Sequence, residues 1–388
     1  MTFVRVALNV EQLLFRAPGG TGRYTARLLS GLPALNLGDS VAPFCARHSS
    51  EEIERALTVA NVADAGFETH ALSLPRPLLY EAWHRLGVPH LPQSGGGVGS
   101  ADVIHAPSPA VPPKDRRPLV VTLHDVAFDL FPQAYPARGR KFHQLGVAAA
   151  AKRADLVITV SQQAAREIAE HTPALADRLR VVHNGVDAQE ATDGEIAATN
   201  AHLGLTGTPY VLWVGSLEPR KDVGTLIRAF SLLLTRQPEL PHHLVLVGPD
   251  GWLGGGDLAE ESRAALGARL HMVGQRSEQE LRALYAGAAL FAFPSLHEGF
   301  GLPVLEAMVQ GTPVLCSDIP ALREIASDEA AFAPVGDVEA WTQALEGLLS
   351  GSSLRAEDRD RRRSHASSFS WEASVAATRE VYLEALHG

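Results

Sequence analysis

The segment SLHEGFGLPVLEAMVQGTPV, residues 295–314, carries two carboxylates, Glu298 and Glu306, with seven residues between them. Gly299 and Gly301 let a backbone turn tightly or approach a ligand closely. Pro303 suits the first turn of a helix, where its missing N–H costs little. The apolar FAFPS before Glu298 reads as a strand and TPVLCSD as the next one. The segment is thus strand, Gly-bent loop, helix and strand, with Glu298 in the loop and Glu306 in the first turn of the helix. A helix N-terminus offers N–H groups and a positive dipole end to a phosphate, and two carboxylates beside it accept hydrogen bonds from paired hydroxyls. The ligand such a site asks for is polyhydroxylated and anionic, as a nucleotide sugar is. Either Glu alone fits a solvated surface just as well; the whole string does not.

Outward from that segment, the second half of the chain alternates strands and helices. PYVLWVGS, HHLVLVGP, LHMVGQ, ALFAFPS, TPVLCSD and AAFAPV read as strands; VGTLIRAFSLLLTRQ, LAEESRAALGARL, SEQELRALYAGA and VEAWTQALEGLLSG read as helices. The first half has the same rhythm. Its strands are FVRVALNV, SVAPFCA, ADVIHAPS, PLVVTLHD, DLVITVS and RLRVVHNGV. Its helices are TGRYTARLLSGLPAL with Tyr24, Leu28 and Leu29 on one face, SEEIERALTVAN with Ser50 as N-cap, an Ala-rich run from Arg138 to Arg153, and QQAAREIAEHT. Apolar strands alternating with helices imply a parallel sheet covered on both faces. The polar run 184–205 breaks the pattern and marks a boundary. The expected layout is two doubly wound α/β domains, 1–190 and 200–368, with FSWEASVAATREVYLEALHG as a closing helix anchored by Trp371 and Tyr382. The glycine-rich Ser94–Ser100 precedes no helix and reads as a surface loop.

A length of 388 residues suits two domains, and a hydrophobic content of 46% suits a folded globular chain. The net charge of −10 argues against a nucleic-acid binder and means that an anionic ligand must be held by a local cationic cluster. Two cysteines, Cys45 and Cys316, supply neither a disulfide framework nor a metal-ligand set, which fits a reducing cytoplasm. FVRVALNV reads as a first strand and not as a signal peptide, and no apolar run reaches membrane-spanning length. RPLLYEAWHRLGVPHL carries aromatic and basic residues. An ordinary buried helix is the first reading of it, and a peripheral contact at the cytoplasmic face of a membrane the second.

Arg220 and Lys221 follow a strand that ends at Gly215 and Ser216, and they precede a helix. Cations there oppose the helix dipole, a conflict that a bound anion removes. Both suit phosphate oxygens. His124 and Asp125 end the strand LVVTLHD, where ligands bind in such sheets; His105, ending a neighbouring strand, is the weaker candidate. Gly19, Gly20 and Gly22 precede the first helix. Gly248-Pro249 and Val273-Gly274-Gln275-Arg276 close strands of the second half. Ser161 and Asn184–Asp187 read as loop or hinge residues.

The string E-G-F-G-L-P-x-L-E-A-M-x-x-G-x-P-V from Glu298 to Val314 resembles the E-x7-E signature of retaining glycosyltransferases of the GT4 group, which have the GT-B fold: two Rossmann-like domains facing a central cleft. The resemblance is dense in the second half and sparse in the first. It implies a hexose moved from a nucleoside diphosphate to a glycan, lipid-linked or small-molecule hydroxyl acceptor, without metal or cofactor. Gly215-to-Lys221 is similar to the family's G-x-x-x-x-x-K diphosphate motif, and Gly19–Tyr24 to its GG-x-G-x-Y loop beside the phosphates and acceptor. By that resemblance Glu306 binds the ribose diol, and Glu298 with the backbone of Gly299, Phe300, Gly301 and Leu302 binds the transferred sugar. Arg220 and Lys221 hold the diphosphate, Gly274 and Gln275 adjoin the base, and His124 hydrogen-bonds the sugar. The closing helix returns to the first domain. Asp358 and Asp360 form the D-x-D of metal-dependent glycosyltransferases but lack its preceding strand. Mannose from GDP-mannose is the first donor choice, with UDP-hexoses behind it. A glycoside hydrolase using both glutamates, a sugar-nucleotide epimerase and a non-catalytic nucleotide-sugar binder are the competing readings.

Overall fold

The computed structural model describes residues 3–63, 66–249, 264–350 and 356–388. The chain forms two compact units, Met1–Gly185 with Trp371–Gly388, and Val186–Ser370.

The first unit holds a seven-stranded sheet of β1 (Arg5–Asn9), β2 (Ser40–Cys45), β3 (His70–Ala71), β4 (Val103–Ala106), β5 (Leu119–Thr122), β6 (Leu156–Thr159) and β7 (Leu179–Val181). Their order is β3-β2-β1-β4-β5-β6-β7, and every pairing is parallel. The order reverses between β1 and β4, the switch point at which ligands meet such sheets. All residues of β4, β5 and β6 are buried, as strands covered on both faces must be. Helix Trp371–His387 belongs to this unit and packs on helix Gly19–Ala34. Its closeness explains Gly31, where a Cβ would stand 2.7 Å from Val375 Cγ2. Buried Asp39 ties the two ends of the unit together, accepting hydrogen bonds from Val4 N at 2.9 Å and Arg379 Nε at 2.5 Å.

The second unit holds a six-stranded parallel sheet of β8 (Tyr210–Val214), β9 (His243–Val247), β10 (Leu270–Gly274), β11 (Leu290–Phe293), β12 (Val314–Ser317) and β13 (Ala331–Ala333). Their order is β10-β9-β8-β11-β12-β13, so the switch point falls between β8 and β11. One core cluster is built around Trp213, Phe230 and Trp341. In the same cluster helix Val338–Ser350 lies against helix Val223–Arg236, with Thr342 Oγ1 donating to Ala229 O at 3.2 Å.

Several local expectations shift. Helix Gly19–Ala34 starts at Gly19, so Gly19, Gly20 and Gly22 form its first turn and do not precede it. The N-cap of helix Ser50–Val59 is Ser49, which forms a capping box with Glu52. The polar run 184–205 contains helix Asp193–His202, started by a Thr192–Glu195 capping box and packed on helix Glu278–Gly287. Strand β3 is too short to leave a sequence pattern. Glu306 sits one turn deeper than the first turn of helix Leu302–Val309. Asp358 and Asp360 lie on helix Ala356–Ser367, where they face Arg361 and Arg363. The helix expected over LAEESRAALGARL falls in its first part outside the described residues.

Candidate active site

In the second unit three glycines close three neighbouring strands. Gly215 N donates to Val247 O at 2.9 Å, and Gly248 N to Gly274 O at 3.0 Å. Gly248 has φ of +142°, and a Cβ there would stand 1.9 Å from Gly215 O, so the chain ends of β8 and β9 meet only because side chains are missing. Ser216 is half-buried beside them and Gln275 is exposed beyond Gly274.

After Ser216 the chain runs through the turn Pro219–Lys221, and Asp222 in the left-handed region opens helix Val223–Arg236. Leu296 N donates to Arg220 O at 2.8 Å, which fastens this turn to the loop after β11. Arg220 Nη1 donates to His297 O at 2.7 Å and to Glu298 Oε2 at 3.1 Å, and its Nη2 donates to Glu218 Oε1 at 2.8 Å. Lys221 Nζ donates to Glu298 Oε1 at 2.6 Å and lies 5.1 Å from the centre of the Phe293 ring. Burial by itself would push the Glu298 carboxyl up, but the charges of Lys221 and Arg220 outweigh it and hold the group at about 2. Burial draws the Lys221 ammonium below its ordinary value while the Glu298 charge pulls it back up.

Gly301, with φ of +113°, is the N-cap of helix Leu302–Val309, and Pro303 occupies its first turn. A Cβ on Gly301 would stand 2.5 Å from Leu322 Cδ2, so the loop lies directly on helix Pro320–Ala326. Phe300 is buried edge-on to Phe369, fixing the loop between Glu298 and the helix. Glu306 accepts a hydrogen bond from the buried Tyr285 hydroxyl at 2.8 Å.

The structure thus brings Gly215, Ser216, Arg220, Lys221, Glu298 and the Gly299–Leu302 loop together at the carboxyl ends of β8 and β11, with Glu306 on the helix that follows. Gly274 and Gln275 lie two strands away, across β9. Glu218, Tyr285 and Phe293 join the site without having been singled out in the sequence. None of the three had a signal in the sequence: Tyr285 is placed by the packing of its helix on the Glu306 helix.

In the first unit His124 Nε2 faces Pro107 O at 3.1 Å, so that nitrogen carries the proton, and the ring stands edge-on to Tyr24 at 5.3 Å. Burial lowers its pKa, which keeps it neutral. Asp125 Oδ1 accepts from Ala127 N at 3.0 Å, bracing the turn after β5. Gly22 lies against Pro18, where a Cβ would come within 2.2 Å; Gly20 is exposed in the same turn. His105 is a structural residue: Nδ1 contacts Tyr382 Oη at 2.7 Å and Nε2 contacts Thr122 Oγ1 at 2.8 Å, and burial lowers its pKa to about 3.

Two parallel doubly wound units, one with its basic turn and carboxylates at the switch point, define the GT-B class of glycosyltransferases. Residues 18–190 match the family model Glycosyltransferase Family 4 and residues 208–351 match Glycosyl transferases group 1. The two models take in most of the chain, which belongs to these glycosyltransferases and is an enzyme of that kind. The chain is 28% identical over 371 residues to O-antigen chain mannosyltransferase B of Escherichia coli, covering 94% of this chain and 95% of that one. It is 34% identical over 289 residues to D-inositol 3-phosphate glycosyltransferase of Nocardia farcinica, covering 70% of this chain but only 62% of that one. In fold it is similar to Anabaena HepE, solved in complex with UDP and glucose, with a TM-score of 0.74 at 18% identity over 98% of this chain and 100% of that one. It is also similar to sucrose-phosphate synthase of Thermosynechococcus elongatus, with a TM-score of 0.70 at 22% identity over 98% of each.

Proposed function

We propose that this glycosyltransferase moves a hexose, mannose from GDP-mannose before any other, from a nucleoside diphosphate to a hydroxyl acceptor of a glycan, glycolipid or small molecule, with retention at the anomeric carbon. The observation that carries the reading is the cluster of Arg220, Lys221 and Glu298 on loops from β8 and β11, fastened to each other. The long match to a mannosyltransferase over nearly both whole chains supports the choice of sugar.

In this reading the acceptor oxygen attacks the anomeric carbon as the bond to the diphosphate oxygen breaks. The acceptor proton passes to the departing phosphate on the same face, which retains configuration without a covalent sugar on the enzyme. Arg220 and Lys221 offset the charge that builds on the leaving group, so side chains take the place of a metal. Glu298 and the Gly299–Leu302 backbone orient the transferred sugar. Glu306, steadied by Tyr285, accepts from the ribose diol, and Gly274 and Gln275 adjoin the base. His124, a neutral imidazole whose proton is on Nε2, offers Nδ1 as an acceptor to a sugar hydroxyl. Gly20, Gly22 and Asp125 belong to turns on the acceptor side.

Thermal-shift measurement against a panel of GDP- and UDP-sugars, followed by assay of nucleotide release with hydroxyl acceptors and assignment of the product anomer, tests this. GDP-mannose should give the largest shift and an α-mannoside. A larger effect of UDP-glucose, or an inverted product, would reject the finer reading, and sugar release to water alone would favour hydrolysis.

A further inference from the structure

The charged run around Asp358 and Asp360 supplies nothing to the transfer site directly, yet one of its arginines is buried. Arg362, on helix Ala356–Ser367, is only 7% exposed. Its Nε and Nη2 both donate to Gly311 O, at 3.1 and 3.0 Å. A buried cation is costly unless its N–H groups are paired, and an apolar side chain would fill the same space at less cost. The two bonds to one carbonyl are therefore the feature to explain.

Gly311 lies in the turn that ends helix Leu302–Val309, the helix of Glu306. Gly311 N donates to Met308 O at 2.8 Å and Thr312 N to Ala307 O at 3.1 Å, with Gly311 at φ of +74°, which makes a Schellman turn. Helix Ala356–Ser367 runs so close that a Cβ on Gly311 would stand 2.1 Å from Arg359 Cγ. Thr312 Oγ1 donates to Tyr285 O at 2.6 Å, and the hydroxyl of the same tyrosine donates to Glu306 at 2.8 Å. The other end of the Glu306 helix is held less directly. Gly301 lies on helix Pro320–Ala326, and His365, three residues after Arg362, donates from Nε2 to Ile325 O at 2.6 Å.

A helix of eight residues is too short to hold its own shape, so what fastens its ends decides where Glu306 stands. We infer that Arg362 is a positioning residue for donor binding: by clamping Gly311 O it fixes the turn that carries Thr312, and through Thr312, Tyr285 and the helix itself it sets the Glu306 carboxylate for the ribose diol. The inference rests on Glu306 binding that diol. A cation also suits the C-terminal end of a helix dipole. Lys at 362 would keep that charge, but it lacks the fixed planar pair of N–H groups that meets one oxygen.

Isothermal titration of the full chain with GDP and with 2′,3′-dideoxy-GDP, which lacks the diol, tests this, with UDP and its dideoxy form in parallel. Arg362→Lys should weaken GDP about fivefold, a share of the loss expected of Glu306→Gln, and leave the dideoxy nucleotide unchanged. Added to Glu306→Gln, Arg362→Lys should cost nothing further, because both act through one carboxylate. Thr312→Val removes the bond to Tyr285 O at nearly constant shape and should repeat the pattern; it carries the same comparison if Arg362→Lys does not fold. Arg361→Lys, on the same helix with its side chain 62% exposed, should change neither affinity. Equal losses for the two nucleotides, additive losses in the double variant, or full GDP affinity in Arg362→Lys and Thr312→Val would overturn the inference and leave Glu306 as the ribose ligand. Full affinity for GDP and UDP in Glu306→Gln would instead reject the ribose reading on which the inference rests.

Discussion

Glu298 and Lys221 stand 77 residues apart in sequence, yet Oε1 and Nζ meet at 2.6 Å, and Arg220 reaches the other oxygen of the same carboxylate. Two cations are thus held together by one buried anion. Removing that anion leaves like charges facing each other in a poorly solvated place. Glu298→Gln is expected to lower the thermal midpoint, and GDP, by restoring negative charge, is expected to raise the midpoint of this variant more than that of the unaltered protein. Thermal denaturation with and without GDP measures both.

The same pair shapes the alkaline side of nucleotide binding. Burial depresses the Lys221 pKa and the Glu298 charge props it up. With Gln at 298 the larger of the two carboxylate charges that support it is gone and Glu218 alone opposes burial and Arg220, so Lys221 loses its proton at lower pH. GDP affinity, followed by calorimetry across alkaline pH, should fall earlier in Glu298→Gln than in the unaltered protein.

Tyr285 and Glu306 predict a graded effect. Glu306→Gln removes the charged acceptor, and hydrogen bonds to charged groups are each worth about 1.5–3 kcal/mol, so donor affinity should fall at least tenfold. Tyr285→Phe leaves the carboxylate in place with one hydrogen bond fewer and should cost less. Isothermal titration with GDP, which carries the ribose diol, ranks the two.

Two glycines predict different penalties. Gly248→Ala drives a Cβ to 1.9 Å from the backbone oxygen of Gly215, an atom that cannot move without disrupting β8. Gly301→Ala meets the end of a leucine side chain at 2.5 Å, which can swing aside. Both carry the strain of a backbone that favours glycine, about 1–3 kcal/mol. Gly248→Ala should therefore lower the midpoint in chemical denaturation more than Gly301→Ala, while Gly301→Ala, displacing the loop beside Glu298, should slow transfer.

His105 should make the first unit sensitive to acid. Burial holds His105 at about 3 against an ordinary 6.5, so the unfolded chain binds a proton there that the folded chain refuses. That stability is complete above about 6.5 and is lost progressively as pH falls toward 3. Glu298 acts lower: with a folded value of about 2 against 4.5, its contribution is present above 4.5 and lost as pH falls toward 2. His105→Gln should flatten the pH dependence of the midpoint between 6.5 and 4.5, and a slope unchanged by it would contradict the assignment.

The alternation of apolar strands and helices was legible because strands buried on both faces leave unbroken apolar runs; all six strands expected of the second unit are present, and six of the seven in the first. The carboxylate string was legible because glycines, a proline and two glutamates act within one short segment. What escaped was short or distant. Two-residue β3 has no period to detect. Helix Asp193–His202 buries only Thr199, so its small polar residues read as a linker. Ser49 and Ser50 both suit an N-cap, and the signal that selects Ser49 is Glu52 three residues on, where Ser50 has Ile53. The pairing of Lys221 with Glu298 arises from the sheet order, which sets β8 beside β11 across a long stretch of chain, and that of Tyr285 with Glu306 from helix Glu278–Gly287 packing on helix Leu302–Val309.

The most direct test of the basic turn as a diphosphate site is the affinity of GDP for the unaltered protein and for Lys221→Ala, measured by isothermal titration calorimetry at one salt concentration. A charge-assisted contact to phosphate lost from the site should weaken binding about tenfold or more. Equal affinity for the two proteins would contradict the account.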